Sequence, residues 1–387
     1  MRITHVITRL IIGGAQENTL SSVLGLRQKP GLEVKLVSGP SAGPEGSLES
    51  FDPQLLVLPN LVRPIHPYRD FLALRELEQL FRETKPDLVH THSGKAGILG
   101  RLAAARADVP LIVHTIHGPS FGNFQGAAAN FVFRAAERRA GCVTTHFVTV
   151  AEAMTEQYLA AGIGSREQYT KIFSGFNLAP FLSAQNDPTL RAKLGLAPED
   201  IVIGKIARLF KLKGHEDLFT IAPELVRRNP RIKFLLVGDG SWRKKFEDRA
   251  RALGLEKRVV FAGLVPPDAV PRFVGVMDAL VHLSLREGLP RALPQALAAG
   301  KPVVSYDCDG AREVCVDEKT GFLLRPGDLN GLTDKLTRLA GDASLRERLG
   351  QTGREFVRDN FSVERMVDSL HALYLKLATA SPNRQHG

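Results

Sequence analysis

Short apolar runs and amphipathic segments alternate along most of the chain. Residues 1–9, with Ile3, Val6 and Ile7, form an apolar run that predicts a buried strand. Residues 67–84 carry apolar side chains at helical spacing and predict an amphipathic helix. Strands that alternate with helices in this way are typical of βαβ units, so the pattern predicts an α/β protein with parallel sheets.

The alternation occurs in two sets, which predicts two domains. In the first set the predicted strands lie at 1–9, 34–38, 55–58, 88–90, 111–115 and 147–150. In the second set they lie at 201–207, 234–237, 259–261, 279–283 and 302–305. We therefore predict Rossmann-like domains at 1–178 and 201–361, with a proline-containing linker at 179–200. A last helix is predicted at 362–380, and a disordered tail at 381–387.

The charge of the chain limits its partners. The net charge is +10, and the excess of lysine and arginine is spread along the sequence. Such a charge suits anionic small ligands or an anionic membrane surface. No basic run is interleaved with aromatic residues and no nucleic-acid module is recognisable, so we predict no nucleic-acid partner.

Cysteine content and hydropathy indicate the compartment. The three cysteines lack zinc-ligand or CxxC spacing, which predicts reduced thiols. No apolar run approaches the roughly 20 residues that span a bilayer, and no early apolar run precedes a cleavage site. We therefore expect a cytoplasmic protein without a transmembrane anchor.

The segment REGLPRALPQALAAGKPVV carries candidate chemistry. Gly288 and Pro290 lie in a loop that opens a helix predicted at 289–299. Free backbone N–H groups at a helix start suit a phosphate, and Glu287 suits a neutral hydroxyl-rich group such as a sugar. Gln295, on the predicted helix, can bind a second pair of hydroxyls. Taken alone, the segment is equally compatible with an ordinary helix start.

Two further motifs suit phosphate oxygens. Arg208 and Lys213 in ARLFKLKG follow a predicted strand and can bind two oxygens of a pyrophosphate, although as isolated cations they are typical of a solvated surface. Gly13 and Gly14 follow the first strand and allow close approach of the backbone to a ligand. The GxGxxG fingerprint and the acid after the second strand are absent, which disfavours a dinucleotide.

These motifs together resemble those of the family 4 retaining glycosyltransferases. Glu287 matches the first acid of the family's acid-x7-acid element, whereas Gln295 replaces the second. Arg208 and Lys213 match the Arg-x4-Lys pair that holds the donor diphosphate. His117 resembles the histidine that contacts the donor sugar near its reacting carbon.

The resemblance implies a fold, a donor and a set of site residues. It implies the GT-B fold, in which two Rossmann-like domains face each other across a cleft and the C-terminal helix returns to the N-terminal domain. The first domain is then the acceptor side and the second binds the nucleotide-sugar. The implied catalytic residues are His117, Glu287, Arg208 and Lys213. The implied donor-binding residues are Gly13, Gly14, Gly118, Arg208, Lys213, Gly238, Gly288, Leu289, Pro290 and Gln295.

The implied reaction needs no bound cofactor and no metal. The donor is a nucleotide-diphospho-sugar, with UDP- and GDP-sugars favoured. Since the match gives no enzyme nucleophile, the implied mechanism is a front-side retaining transfer. The expected acceptor is a lipid-linked or growing glycan.

Aromatic and arginine residues raise the question of a membrane surface. They are Leu61, Arg63, Ile65, Tyr68, Arg69, Phe121, Phe124, Phe131, Phe133, Arg134, Arg138 and Arg139. The pattern alone favours a core helix with a solvated basic face. The resemblance to enzymes with lipid-linked acceptors leaves open a peripheral contact with the anionic inner face of the cell membrane.

Other interpretations remain at this point. His90, His92 and His114 allow a zinc site, and Asp307-Cys308-Asp309 allows a DxD metal site, but we predict neither because ligand spacing and context do not support them. A sugar-nucleotide epimerase or a phosphorylase of similar shape is compatible with the sequence. A non-catalytic sugar-nucleotide-binding protein is also compatible, because Gln295 departs from the family pattern.

Overall fold

The computed structural model describes residues 1–41, 46–122 and 125–380, and the chain divides into two compact units. The first unit comprises Met1–Phe176 and the C-terminal segment that begins at Val363. The second comprises Asn177–Ser362. The predicted tail at 381–387 and Phe124 lie outside the described residues. Among the described helices, none combines the length and apolar character that crossing a membrane requires.

The first unit is built on a parallel seven-stranded sheet in the order β3-β2-β1-β4-β5-β6-β7. Its strands are β1 (Arg2–Arg9), β2 (Glu33–Gly39), β3 (Leu56–Val57), β4 (Leu88–His92), β5 (Leu111–Ile116), β6 (His146–Thr149) and β7 (Tyr169–Lys171). Its helices are α1 (Gly14–Leu26), α2 (Pro67–Thr84), α3 (Gly94–Arg106), α4 (Ala127–Gly141), α5 (Glu152–Ala160) and the C-terminal α14 (Val363–Ala380). The interior of β1 is buried without interruption, as expected of a strand covered on both faces.

The second unit is built on a parallel six-stranded sheet in the order β10-β9-β8-β11-β12-β13. Its strands are β8 (Ile201–Ile206), β9 (Ile232–Val237), β10 (Val259–Gly263), β11 (Ala279–His282), β12 (Val303–Tyr306) and β13 (Gly321–Leu324). Its helices are α6 (Ala179–Leu182), α7 (Pro188–Lys193), α8 (His215–Arg228), α9 (Arg243–Ala252), α10 (Val270–Gly275), α11 (Ala292–Ala298), α12 (Leu329–Gly341) and α13 (Ala343–Asn360). The predicted pair of Rossmann-like parallel sheets is confirmed.

Helix α14 is part of the first unit, as expected. It buries one face against that unit's core with Met366, Val367, Leu370, Leu373 and Tyr374. These positions follow the 3.6-residue period of a helix. A Cβ on Gly25 of α1 would lie 2.5 Å from Val367 Cγ2, so the glycine allows the two helices to approach closely.

The structure corrects several predicted boundaries. The stretch predicted as a linker carries the short helices α6 and α7 and belongs to the second unit. Strands β7 and β13 were not predicted, because both are short edge strands without a long apolar run. Helix α11 begins at Ala292 instead of Leu289. Pro294 has no N–H to donate to residue 290, and Gln295 N–H therefore begins the helical bonding, to Arg291 C=O (3.2 Å).

Each sheet has a point where the order of its strands reverses. In the first sheet the reversal lies between β1 and β4, and in the second it lies between β8 and β11. Ligands of open parallel sheets bind outside the carboxyl ends of the strands at this point. The loops after β1, β4 and β5, and those after β8, β11 and β12, are therefore where each unit is expected to carry functional side chains.

Candidate active site

Three loops at the carboxyl ends of β8, β11 and β12 are held together by backbone hydrogen bonds. Leu285 N–H donates to Leu212 C=O at 2.9 Å, which joins the first loop to the second. Gly310 N–H donates to Gly288 C=O at 3.0 Å, which joins the second loop to the third. The three predicted loop segments thus form one structural element of the second unit.

Gly214 permits the closest approach between two of these loops. Its φ is +65°, and a Cβ at this position would lie 2.1 Å from Leu283 C=O. A side chain here would meet both backbone strain and a steric clash. The glycine after Lys213 therefore sets the lysine loop directly against the end of β11.

Lys213 and Glu287 form the central ion pair of the site. Lys213 Nζ lies 2.5 Å from Glu287 Oε1, and His282 Nε2 lies 3.5 Å from the same oxygen. Burial acts to raise the pKa of Glu287, but hydrogen bonding from His282 and the charge of Lys213 outweigh it and lower the pKa below its usual value. Glu287 is thus an anion that Lys213 holds in place, with His282 beside it. The structure brings these two predicted residues together.

Asp309 fixes the backbone of Glu287. Its Oδ2 accepts a hydrogen bond from Glu287 N–H at 2.7 Å, and burial raises the pKa of Asp309. Asp307 instead forms an ion pair with Arg312. The two carboxylates considered for a DxD motif are therefore engaged with protein groups. Asp309 positions the Glu287 loop, a role that the sequence did not reveal.

Lys205 is a further basic residue of the site that the sequence analysis missed. It lies on β8 with 1% of its surface exposed, and its Nζ has no hydrogen-bond partner among the residues described here. Burial and the neighbouring Lys213 charge lower the pKa of Lys205 to about 7. The sequence feature that could have identified Lys205 is that it is the single lysine within the apolar strand sequence IVIGKIA.

Arg208 lies on the same loop as Lys213 but makes a different contact. It is exposed, and its Cζ lies 5.2 Å from the centre of the Phe210 ring. Gly238, at the end of β9, packs against this loop: its φ is +129°, and a Cβ there would lie 2.3 Å from Ala207 C=O. Gly238 thus supports the backbone beside Arg208. The structure places Arg208 near the site without pairing it with Glu287.

The loop before α11 and the helix itself present few side chains to solvent. Gly288 and Pro290 are buried, and Leu289 is half-buried. Every residue of α11 except Gln295 is buried. The carboxamide of Gln295 is therefore the polar group that this helix can offer to a ligand.

In the first unit, the predicted residues follow β1 and β5. Gly13 precedes α1, where its C=O accepts the Glu17 N–H at 2.9 Å, and Gly14 is exposed. His117 and Gly118 follow β5 and are half-buried. Burial lowers the pKa of His117 to about 4, so its imidazole is neutral near pH 7.

The histidine cluster differs from the one considered for zinc. His5, His90 and His92 bring their ring nitrogens within 4.8 Å of one another. His114 bonds to Thr91 instead, with its Nδ1 lying 2.9 Å from the hydroxyl oxygen. The third member of the cluster, His5, comes from β1, which has no metal-ligand spacing with His90 or His92 in the sequence.

Comparison with protein families accounts for most of the chain. Residues 13–170 match the family model "Glycosyl transferase 4-like domain", and residues 186–356 match "Glycosyl transferases group 1". The chain belongs to the family 4 glycosyltransferases. Its activity is the transfer of a sugar from a nucleotide-sugar donor, and the family predicted from Glu287, Arg208 and Lys213 is confirmed.

Relatives of this glycosyltransferase extend over nearly its whole length. It is 27% identical over 381 residues to the UDP-Gal:alpha-D-GlcNAc-diphosphoundecaprenol alpha-1,3-galactosyltransferase of Escherichia coli, covering 97% of each chain. It is 26% identical over 350 residues to the capsular polysaccharide biosynthesis glycosyltransferase CapM of Staphylococcus aureus, covering 90% of each chain. Among solved structures, HepE of Anabaena in complex with UDP-glucose has a TM-score of 0.81 at 22% identity, covering 97% of this chain and 100% of that chain. The GT-B fold class is thus confirmed.

Proposed function

We propose that this glycosyltransferase moves a hexose, with retention of configuration, from a UDP-sugar to a lipid-diphosphate-linked saccharide. The observation that carries the proposal is the full-length similarity to the Escherichia coli enzyme, whose name specifies a UDP-sugar donor and a diphosphoundecaprenol-linked acceptor. The complex of HepE with UDP-glucose, in a protein of the same fold, supports UDP over GDP as the nucleotide.

We assign the donor diphosphate to Lys213 and Arg208. Lys213 is held by Glu287 before any donor binds, so much of the entropy cost of ordering its long side chain is already met. Arg208 is exposed and adds a planar guanidinium suited to two phosphate oxygens. The glycines Gly13, Gly14 and Gly238 allow the backbone to approach the donor.

The sugar and the ribose are assigned to different residues. Glu287 and the loop Gly288–Pro290 contact the hydroxyls of the transferred sugar, and Gln295 binds the ribose hydroxyls. A glutamine makes neutral hydrogen bonds, which are weaker than those of the charged acid usual in the family. His117 contacts the transferred sugar near its reacting carbon, with Gly118 fixing the loop.

The proposed reaction proceeds on one face of the sugar. The acceptor oxygen forms a bond to the anomeric carbon while the bond from that carbon to the diphosphate oxygen breaks. The acceptor proton passes to an oxygen of the departing diphosphate. Lys213 and Arg208 stabilise the negative charge that develops there, so the proposed step requires no metal ion.

Exposed apolar side chains on two helices of the first unit support a membrane-bound acceptor. Ile65, Tyr68, Phe71, Phe131 and Val132, near the starts of α2 and α4, are 57–74% exposed. Arginines are interspersed among them, and each basic residue at an anionic bilayer contributes about 1 kcal/mol. We propose that this first, acceptor-side domain contacts the cytoplasmic face of the membrane. Leu61 and Phe121, which were candidates for a membrane contact, are instead buried in the core.

A transfer assay with purified enzyme tests the proposal. UDP-Gal, UDP-Glc, UDP-GlcNAc and GDP-Man are each incubated with a short-chain lipid-diphosphate GlcNAc, with and without EDTA. We expect a glycosylated lipid from a UDP-hexose, insensitive to EDTA and with the donor's anomeric configuration. Conversion of the donor without an acceptor would indicate an epimerase, and nucleotide binding without transfer would indicate a binding protein.

A further inference from the structure

A continuous chain of buried hydrogen bonds runs inward from His117. His117 Nε2 lies 3.0 Å from His92 Nδ1, and His92 Nε2 lies 2.9 Å from His5 Nδ1. His5 Nε2 lies 3.4 Å from the hydroxyl of Tyr374, and that hydroxyl also bonds to His90 Nδ1. We call these five side chains the histidine chain.

The histidine chain joins parts of the sequence that are far apart. His5 lies on β1, His90 and His92 lie on β4, and Tyr374 lies on the C-terminal helix α14. His5 and His90 are paired in the register of the two strands. The rings of His92 and His117 stack with their centroids 5.3 Å apart, and those of His5 and His92 with theirs 5.2 Å apart. The return of α14 to the first unit therefore completes the chain.

The ring nitrogens of His5, His90 and His92 are all engaged in hydrogen bonds. His90 Nε2, at the end of the chain, bonds to Thr115 Oγ1 at 2.6 Å. The remaining five ring nitrogens of His5, His90 and His92 bond to each other, to Tyr374 or to His117. Such a network satisfies the buried polar groups by itself. The cluster therefore forms a complete hydrogen-bond network.

The buried histidines of the chain are neutral, so every hydrogen bond along it must run in the same donor-to-acceptor direction. Burial lowers the pKa of His5 to about 3, and it lowers the pKa values of His90 and His92 well below the usual value. A neutral imidazole has one N–H donor and one bare nitrogen acceptor. When one ring donates through one nitrogen it must accept through the other, so the tautomers along the chain are coupled. The whole chain has two possible polarities.

Tyr374 selects between these polarities. Its hydroxyl is closer to His90 than to His5, from which it is 3.4 Å distant. A neutral His90 accepts through only one of its nitrogens, and of its two hydroxyl partners the Tyr374 hydroxyl lies nearer than Thr115 Oγ1. Since O–H donors make shorter bonds than N–H donors, the phenol proton lies toward His90 Nδ1, and His90 Nε2–H donates to Thr115 Oγ1. His5 then donates Nε2–H to the phenol oxygen and accepts from His92, and His92 accepts the proton of His117 Nε2.

The outcome at the end of the chain is a defined tautomer of His117. Its Nε2 carries the proton, and its Nδ1 is bare and has no hydrogen-bond partner within the described part of the chain. We propose that the histidine chain fixes His117 in this tautomer, so that Nδ1 accepts a hydrogen bond from a hydroxyl of the substrate. Tyr374 is thereby a positioning residue for transfer. This inference depends on the proposed role of His117 at the transferred sugar.

Ring-nitrogen NMR of histidine-labelled enzyme without substrate tests the chain separately from the transfer reaction. We expect the spectrum of His117, assigned by its loss in His117→Gln, to show a neutral ring protonated at Nε2. In Tyr374→Phe we expect a mixture of both tautomers. Protonation at Nδ1 in the unmodified enzyme, or an unchanged tautomer in Tyr374→Phe, would overturn the inference even where transfer is normal. Stoichiometric metal that depends on His5 would also overturn it.

Kinetics supply the second measurement. We expect Tyr374→Phe to lower kcat by about 5-fold, the effect of one hydrogen bond, with little change in UDP affinity. Tyr169→Phe removes a hydroxyl that donates to Ile163 C=O at 2.7 Å on the edge strand β7, and it should leave kcat unchanged. If Tyr374→Phe does not fold, the spectrum of the unmodified enzyme still decides the polarity. If the tautomer is as expected but His117→Gln transfers at the full rate, the link between the chain and the substrate is wrong.

Discussion

The replacement Lys213→Met examines the ion pair at the centre of the donor site. The change removes the charge of Lys213 and keeps much of its apolar volume. In the structure the Lys213 and Glu287 side chains are 20% and 21% exposed, so the pair is largely screened from water. Loss of a preorganised group that stabilises developing charge costs about 3–4 kcal/mol in the transition state, or about 100- to 1,000-fold in kcat.

The same replacement affects stability in a pH-dependent way. Glu287 loses its nearest cation while His282 remains 3.5 Å away, so unfolding should become easier by about 1–3 kcal/mol. The pKa of Glu287 is lowered in the folded protein, and the pair therefore stabilises the enzyme above the ordinary value of 4.5. The difference in unfolding free energy between the two proteins should shrink as the pH falls below that value.

The assay is steady-state transfer at saturating donor, combined with calorimetric measurement of UDP binding. Lys211→Met is the matched control, because Lys211 is an exposed cation on the same loop. We expect the control to retain kcat within about 2-fold. Transfer by Lys213→Met at a near-normal rate would refute the assignment. An equal loss in both variants would mean that the general positive field, and not this contact, supports the reaction.

Three other replacements test separate parts of the account. Gln295→Glu should leave transfer intact or tighten UDP binding, because a carboxylate makes charge-assisted bonds to ribose hydroxyls; an inactive variant would show another role. The pKa of Lys205 is about 7 in the folded protein and 10.5 in the unfolded chain, so deprotonation favours the folded state. Between about pH 7 and pH 9.5, the unfolding free energy of the unmodified enzyme should therefore rise by about 3 kcal/mol relative to that of Lys205→Met. A difference that does not change with pH would contradict burial of the amine. Gly214→Ala should destabilise the protein by about 2 kcal/mol more than Gly195→Ala, as measured by chemical denaturation. Both glycines have positive φ, but of the two only Gly214 faces a carbonyl oxygen. Equal losses of stability in the two variants would exclude the clash.

The sequence predicts those parts of the site that local spacing encodes. Lys213 and Glu287 each follow a buried strand, and parallel strands bring their carboxyl ends to one edge. Gln295 is the one half-buried position of α11, which agrees with its assignment because the other residues of that helix are apolar and buried. These features depend on short segments, in which residue type and the period of the helix or strand determine which way each side chain points.

Contacts between distant segments could not be predicted. Tyr374 and His90 are separated by 284 residues, and no periodicity indicates which helix covers which strand. Lys205 occupies a fully buried strand position, where an apolar run conceals the direction of one polar side chain. Asp309 was considered only as a possible metal ligand, whereas its carboxylate accepts the N–H of Glu287. Each of these depends on tertiary packing.

The central claim is tested most directly by the product that the purified enzyme makes from a UDP-hexose and a lipid-diphosphate GlcNAc. The account predicts a lipid that gains one hexose, with the anomeric configuration of the donor by NMR and with far less product from Lys213→Met. An inverted anomeric centre would contradict the front-side mechanism. Tight UDP binding with no transfer from any UDP- or GDP-hexose would contradict the proposed reaction itself.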